Sequence, residues 1–341
     1  MHSIKKNFSF GFDVFSKSII NIDNTSDLST FFINKSSEPY IVLGQGTNTL
    51  FINDFEGDVL VMRIKEKKVI ETDDSYLLHI GAGEDWSSIV CWTIDNNMYG
   101  LENLTDIPGS VGAAPVQNIG AYGAEFKDFC QYVDYFCTST MAIKRIYNED
   151  CNFTYRNSIF KSSLKGKAII VAVGIKLSKS WMPNLKYPAF SELNCGIRQS
   201  ELSKYISRLR AGKLPNHKEL GNAGSFFKNP IISEAQLLKL KIRYPKIVHY
   251  RHLNGFKVAA GWLIDNSGLR GVKVGGAQVY PKQALVLTSS NGNAYDVIKL
   301  AQFIYHKIDS LYQIKLEHEV QIVSSYKDVD IFSENFMLAS Y

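Results

Sequence analysis

Between residues 105 and 124 the chain carries Pro108, Gly109, Gly112, Pro115, Gly120 and Gly123 among small side chains. Proline removes a backbone donor and clashes with a helical turn, and it is confined to the edges of sheets. Glycine at this density weakens either kind of element. The segment is therefore read as a long chain of turns. Loops of this length are uncommon in compact domains and are usually functional. Small residues keep a backbone path narrow, and successive N–H groups along such a path can hold a pyrophosphate. A glycine-rich connector with no ligand is the alternative reading of the same residues.

Periodicity organises the rest. Residues 25–34 read as a short helix capped by Thr25 or Ser26, with Leu28, Phe31 and Phe32 on its apolar side. Residues 40–43 (Tyr-Ile-Val-Leu) read as a buried strand, and 58–63 and 76–80 as further strands. Trp86, Ile89, Val90 and Ile94 give helical spacing over 85–96. Strands are expected at 131–137 and 168–177, and a helix at 198–210 with Leu202, Ile206 and Leu209 on one face. Lys213-Leu-Pro215 breaks that pattern and marks a domain boundary. Ser233 and Gln236 have capping-box spacing for a helix over 233–243. Val297, Leu300, Ala301, Ile304, Ile308 and Leu311 predict an amphipathic helix over 296–312, and a final strand is expected at 314–323. No internal repeat is visible. At 341 residues, two or three domains are expected. The unequal mixture of strands and helices indicates an α+β chain.

Charge and cysteine usage narrow the function classes. The formal net charge is +5, but Lys and Arg are scattered, not gathered in a stripe or tail, which disfavours a nucleic-acid binder. An anionic small ligand accounts for the mild excess. The five cysteines include no CxxC pair, which argues for a reducing compartment and against a zinc site. His249 and His252 have no nearby partner to complete a metal set, so no metal is expected. The N-terminus lacks the apolar core of a secretory signal, and no stretch of about twenty apolar residues would span a membrane. A cytoplasmic protein is expected.

Four further constellations carry chemistry. A strand leads into Gly44-Gln-Gly46-Thr47-Asn48. A Rossmann turn would need a third glycine and then a helix. Here Thr49 follows and Leu50-Phe-Ile reads as extended, so that fold is excluded; a phosphate-approaching loop and a plain tight turn remain. Phe153-Thr-Tyr155-Arg156 offers a guanidinium that can pair bidentately with a carboxylate, or serve as a surface ion-pair donor. Gly221-Asn-Ala-Gly-Ser225-Phe-Phe-Lys228-Asn229 sets a serine in a rigid small-residue turn. It is not a Gly-x-Ser-x-Gly elbow, so a hydrolase nucleophile is disfavoured. Glu317-His-Glu319, on a strand, would point two carboxylates to one face, with a solvated acidic pair as the alternative.

Taken in order, these segments resemble the UDP-N-acetylenolpyruvoylglucosamine reductase family in its longer form. The resemblance rests on Leu-Gly44-Gln-Gly46-Thr47-Asn48, Ile-Pro108-Gly109-Ser110-Val-Gly112 and Gln117-Asn118-Ile-Gly120-Ala121-Tyr122-Gly123. It continues through Tyr155-Arg156-Asn-Ser-Ile-Phe160, Gly221-Asn-Ala-Gly-Ser225-Phe-Phe-Lys-Asn229-Pro, Ala260-Gly-Trp-Leu-Ile-Asp265, Gly275-Gly-Ala and Ala284-Leu-Val-Leu. It spans about residues 7–323. It implies an α+β fold of three domains, two forming a vanillyl-alcohol-oxidase-type FAD-binding unit and one α+β substrate-binding domain. The expected boundaries are 1–66, 67–212 and 213–323, with the tail 324–341 packing back on 67–212.

The same resemblance implies non-covalent FAD, NADPH as hydride donor, and reduction of UDP-N-acetylglucosamine enolpyruvate to UDP-N-acetylmuramate. Ser225 would protonate the carbon next to the one receiving hydride. Arg156 and Glu319 would stabilise the charge that spreads into the substrate carboxylate. Gly44, Gly46, Thr47, Asn48, Pro108, Gly109, Ser110, Gly112, Asn118, Gly120, Ala121, Tyr122 and Gly123 would hold FAD. Tyr155, Tyr187, Lys213 and Asn229 would bind substrate, with Tyr187 covering it from the Leu185-Lys-Tyr187 loop of the longer form and Lys213 beside the diphosphate. A monomer without membrane or nucleic-acid partners is expected. Gln45 stands where the family often has glycine, and His318 where it often has proline. Those departures bear on affinity more than activity, because Ser225, Arg156 and Glu319 are present. Two rivals are a related FAD oxidase and a nucleotide-sugar binding protein without redox chemistry. The first would often carry a His or Cys in the loops at 44–49 or 107–123, and there is none.

Overall fold

The structure is a computed structural model that describes residues 1–35 and 37–336. The chain gathers into two compact units. Residues 18–45 and 58–211 form one; residues 1–17, 46–57 and those from 212 onward form the other.

The first unit is built on a five-stranded antiparallel sheet in the order Ala142–Tyr147, Cys130–Cys137, Ala168–Ser178, Ser75–Gly81, Lys67–Glu71. The central strand is a near-continuous apolar run, and Ile169 to Ile175 are buried along it. The two edge strands are exposed over most of their length and carry Lys67, Lys68, Glu71, Lys144 and Arg145. Charged edges discourage pairing with another chain. A second, smaller pairing sets Tyr40–Leu43 parallel to residues 58–61. The helices Thr25–Asn34 and Trp86–Asp95 bury Leu28, Phe31, Trp86, Ile89 and Val90 in the same core as Val133, Phe136 and Val173.

In the second unit, Gly221–Ser225, Val286–Ser289, Ala277–Val279 and Lys273–Val274 form an antiparallel sheet in that order. The helix Ala294–Tyr312 lies against it with Val297, Leu300, Ala301, Ile304 and Ile308 buried, the stripe that the sequence spacing predicts. A separate three-stranded sheet is formed by Ile231–Ile232, Gly255–Val258 and His249–His252. Gln321–Val323 runs parallel to Thr49–Phe51.

Several local expectations change. Helix 25–34 is capped by Asn24, not by Thr25 or Ser26. The Asn24 carboxamide oxygen accepts the Asp27 N–H at 3.1 Å, and the Asp27 carboxylate accepts the Asn24 N–H at 3.0 Å. A full capping box forms here. At Ser233 only half of one forms: the hydroxyl accepts the Gln236 N–H at 3.2 Å, while the Gln236 carboxamide donates to the Gln313 carbonyl instead. Of the strand expected at 314–323, only Gln321–Val323 pairs as one, because its partner begins at Thr49.

The tail also differs. Its described part, 324–336, joins the unit that contains 212–323, not the one that contains 67–211. Phe332 stacks on Phe227 and on Tyr305, and the Gln302 carboxamide donates to the Ile331 carbonyl at 2.9 Å. His318 assists, with its ring near Phe332 and Nε2 at 3.4 Å from Asp330.

Replacing Asn24 by Ala should remove the cap and lower stability by about 1 kcal/mol in urea unfolding. An unchanged midpoint would show that the reciprocal bonds contribute nothing net.

Candidate active site

In the first unit the glycine-rich segment does not hang free. It is paired along its first part. Trp86 N–H donates to the Gly109 carbonyl, Val111 N–H to Glu84 and Gly112 N–H to Ala82, each at 2.9 Å. On the other side of the same stretch, Gly81 N–H donates to Glu66 and Gly83 N–H to Ile64, both at 2.8 Å. Residues 81–84 are thus clasped between two backbones. There is no room for a side chain at the glycines of the crossing. A Cβ on Gly112 would lie 2.6 Å from the Ala82 Cβ, and one on Gly81 would lie 2.6 Å from the Ile64 carbonyl oxygen. The glycines that suggested a ligand path therefore serve chain-to-chain approach as well, and the amides of Val111 to Ala114 have protein acceptors.

The turn after Leu43 meets this segment. A Cβ on Gly44 would collide with the Ser110 hydroxyl, so the two expected FAD loops touch within this unit. Gln45, exposed, donates to the Asp85 carboxylate at 2.7 Å. Asp85 caps helix Trp86–Asp95 by accepting the Ser88 N–H at 2.7 Å. Burial alone would raise the Asp85 carboxyl, but the hydrogen bonds from Gln45 and Ser88 outweigh it and hold it below the ordinary carboxylate range. The departure at position 45 is thereby used by the fold. The next residues lie in the other unit, where Gly46 has φ +60° and a Cβ on it would collide with the Asn7 carbonyl and Phe8.

Farther along, Gly120–Ala121 and Ala124–Glu125 pair as a minimal hairpin. Its two turn residues, Tyr122 and Gly123, have φ +49° and +83°. Positive φ at both positions is the pattern of the primed hairpin turns. The hairpin was missed in the sequence because its strands are only two residues long. Asn118 is fully buried at φ +47°. Its carboxamide donates to Glu125 at 3.0 Å and to the Thr154 carbonyl at 3.1 Å, and accepts the Lys127 N–H at 3.0 Å. The Asn118 side chain thus ties the hairpin to the Tyr155–Arg156 turn.

That turn is closed by Thr154 and Asn157, which exchange backbone hydrogen bonds at 3.1 and 3.2 Å. Arg156 sits at φ +54°, a conformation that costs a non-glycine residue roughly 1–2 kcal/mol. Its Nη2 donates to the Gly120 carbonyl at 2.8 Å, and a Cβ on Gly120 would lie 3.1 Å from Nη1. The guanidinium is thus laid on a backbone with no side chain in the way. Tyr155 is half-buried beside it, with the guanidinium 5.4 Å from its ring centroid. Tyr187 meets Tyr122 edge to face at 5.2 Å, and Phe190 stacks on Tyr122 at 5.7 Å.

In the second unit, Ser225 ends its strand after a bulge. The Asn222 carboxamide oxygen accepts the Gly224 N–H at 3.0 Å, an Asx turn, and Gly224 takes φ +68° in open space. Ser225 is half-buried. The chain at 317–319 runs alongside: Lys228 N–H donates to the Glu317 carbonyl at 2.9 Å and Glu319 N–H to the Phe226 carbonyl at 2.8 Å. Glu319 is therefore brought beside the Ser225–Phe226 strand end. Asn48 joins them, accepting the Gln321 N–H at 2.9 Å and donating to the Glu319 carbonyl at 3.3 Å. The two acids separate in use. Glu317 is exposed and pairs with Lys228 at 2.8 Å, while Glu319 is half-buried. Asn229 accepts the Ala260 N–H at 2.9 Å, and Lys213 is exposed at the end of helix Gln199–Lys213. Gly44, 108–112, 118–123, Tyr155, Arg156 and Tyr187 belong to the first unit. Gly46, Thr47, Asn48, Lys213, Ser225, Asn229 and Glu319 belong to the second.

Comparisons with known proteins match two parts of the chain. Residues 215–323 fit the family model of the UDP-N-acetylenolpyruvoylglucosamine reductase C-terminal domain, and residues 20–140 fit a model described as an FAD binding domain. The reductase of Vibrio cholerae O1 is 41% identical over 96% of each chain. That of Aliivibrio fischeri is 46% identical over 89% of this chain and 88% of its own. The chain belongs to the UDP-N-acetylenolpyruvoylglucosamine reductase family. A crystal structure of the reductase from Thermus caldophilus superposes with a TM-score of 0.66 at 22% identity, covering 94% of this chain and 97% of that one, which supports the fold.

The residues present fit FAD. Gly44 and Ser110 bring two loops together with almost no side-chain bulk, and Asp85, which bridges to Ser110, already has Gln45 and Ser88 as donors. Gly44→Ala should push Ser110 aside and lower the flavin bound per protein, read from the visible band of purified enzyme. Adding Ser110→Gly should restore part of it. No recovery would place the effect of Gly44 elsewhere.

Proposed function

We infer that this chain catalyses the NADPH-dependent reduction of UDP-N-acetylglucosamine enolpyruvate to UDP-N-acetylmuramate, a step in making peptidoglycan precursor. The observation that carries the assignment of roles is the backbone hydrogen bond, 2.8 Å from the Glu319 N–H to the Phe226 carbonyl, that sets Glu319 next to the residue following Ser225. We assign the FAD-binding role to residues 1–66 and 67–212 and the substrate role to 213–323.

FAD, when bound, relays a hydride from NADPH to the terminal vinyl carbon of the substrate. The protein's task is the other half of the addition. Negative charge grows on the neighbouring carbon and spreads into the carboxylate attached to it. Arg156, laid across the Gly120 carbonyl, supplies a fixed positive charge for that carboxylate. Glu319 supplies a hydrogen bond on the substrate side. The Ser225 hydroxyl gives its proton to the charged carbon, forming the new C–H bond, and recovers a proton from solvent. A positioned acid of this kind contributes roughly 10²–10⁴-fold. Orienting these groups beforehand avoids reorganisation during the reaction. Tyr155, Tyr187, Lys213 and Asn229 bind the UDP-sugar, Lys213 as a mobile point charge for the diphosphate. In this reading the enzyme acts as a cytoplasmic monomer, in keeping with five free cysteines and a reducing compartment.

Anaerobic addition of NADPH should bleach the flavin band, and the enolpyruvyl substrate should restore it. Bleaching without recovery would mean a different acceptor. Ser225→Ala should leave bleaching within about twofold and slow recovery by roughly 10²–10⁴-fold. Equal slowing of both stages would remove the proton-donor role.

A further inference from the structure

In the second unit the chain changes partner at Glu319 and Val320. Before them, Phe227 and His318 face each other in an isolated antiparallel bridge. The bonds that hold it belong to the flanking residues: Lys228 N–H to the Glu317 carbonyl at 2.9 Å, and Glu319 N–H to the Phe226 carbonyl at 2.8 Å. After them, Gln321 N–H turns to the Asn48 carbonyl at 2.9 Å, and Gln321–Val323 pairs with Thr49–Phe51. A regular ladder fixes backbone torsions by repetition. Here one partner is left and another taken up within two residues, and the first of those two is the acid assigned to the reaction.

The side chain of His318 spans the change. Its Nδ1 lies 2.7 Å from the Val320 carbonyl oxygen. A carbonyl can only accept, so Nδ1 carries a proton and donates. The bond closes a ring of backbone that contains the whole of Glu319, with the torsions on both sides of its Cα. The imidazole is itself held, with its ring 5.8 Å from Phe332 at an angle of 61° and Nε2 3.4 Å from the Asp330 carboxylate. Asp330 is exposed, so that end of the ring contributes little. A proline at 318 would restrict its own φ and the residue before it. It would leave the torsions of Glu319 to other contacts.

We propose that His318 is a positioning residue for Glu319, and that the bond from its Nδ1–H to the Val320 carbonyl aims the Glu319 side chain; this rests on the reading of Glu319 as the group that hydrogen-bonds the substrate. The direction of a side chain follows its Cα–Cβ bond, which the backbone torsions set. His318 acts through Glu319, so its loss should be felt only in the stage that uses Glu319. That stage is reoxidation of the flavin by substrate, not its reduction by NADPH.

The test separates the two ends of the imidazole. Asparagine carries its amide nitrogen next to Cγ, as Nδ1 is carried, so His318→Asn keeps the donor to Val320. Glutamine carries its nitrogen one bond farther, at the reach of Nε2, so His318→Gln loses that donor and keeps the reach toward Asp330. Both stages are followed anaerobically in the flavin band of the loaded enzyme, with NADPH and then UDP-N-acetylglucosamine enolpyruvate. His318→Gln should slow reoxidation by about 10–100-fold and leave reduction within about twofold, since small misplacements of a reacting group have effects of this size. His318→Asn should restore reoxidation to within about threefold of the unaltered enzyme. In a Glu319→Ala background, His318→Gln should add less than about twofold, because residues acting through one another are not additive. Equal slowing by Asn and Gln, slowing of both stages, an undiminished His318→Gln effect in the Glu319→Ala background, or no effect at all would overturn the proposal. If Glu319→Ala alone leaves reoxidation unaltered, it is the reading of Glu319 that fails.

Discussion

The first unit depends on one close approach of three backbones. Residues 81–84 leave the main sheet and run between residues 64–66 and 109–112, hydrogen-bonded on both sides. At Gly81, Gly83 and Gly112 a Cβ would collide with the neighbouring chain, so these three positions of the crossing take glycine. The arrangement fixes Gly109 and Ser110 relative to the sheet and starts helix Trp86–Asp95 from the same place. Ser110 then defines how near the Gly44 turn can come. The loops assigned to FAD are thus held in place by a sheet, the usual way a rigid scaffold carries function on irregular chain.

Around that crossing, polar side chains have mostly been committed to the protein itself. Asn118, Asn103, Glu102 and Gln45 hold loops to one another. What remains for chemistry is a small set placed by unusual backbone. Arg156 and Tyr122 occupy left-handed conformations, and Ser225 follows a left-handed Gly224. Such conformations persist only where the surroundings over-determine them, and they concentrate at functional sites. Arg156 shows how: the turn bonds of Thr154 and Asn157, the Asn118 bond to Thr154 and the guanidinium bond to Gly120 all oppose its relaxation.

The repeating elements were legible in the sequence because burial imposes a period. Helix Ala294–Tyr312 and strand Ala168–Ser178 were visible for that reason, and so was the special character of 105–124. The strands Ala142–Tyr147 and Ile231–Ile232 were not, since an exposed edge has no apolar alternation to read. The cap of the first helix was misplaced by one residue because Asn24, Thr25 and Ser26 are all competent caps, and only the reciprocal bond with Asp27 chooses between them.

The sequence by itself determined the chemistry: the order and spacing of Gly44 to Asn48, Pro108 to Gly123, Tyr155–Arg156, Gly221 to Ser225 and Glu317 to Glu319 belong to one reductase family, and their side chains suit one reaction. It did not determine how those residues are held. The tertiary structure decided that Asn118 ties the 120–125 hairpin to Thr154, that Gly112 lies against Ala82, that Glu317 pairs with Lys228 while the Glu319 N–H bonds to the Phe226 carbonyl, and that Glu102 and Asn103 are buried anchors. The reason is that a hydrogen bond between residues 81 positions apart, that from Asn103 to Asn184, leaves no trace in local periodicity. It exists only once packing has brought the two segments together.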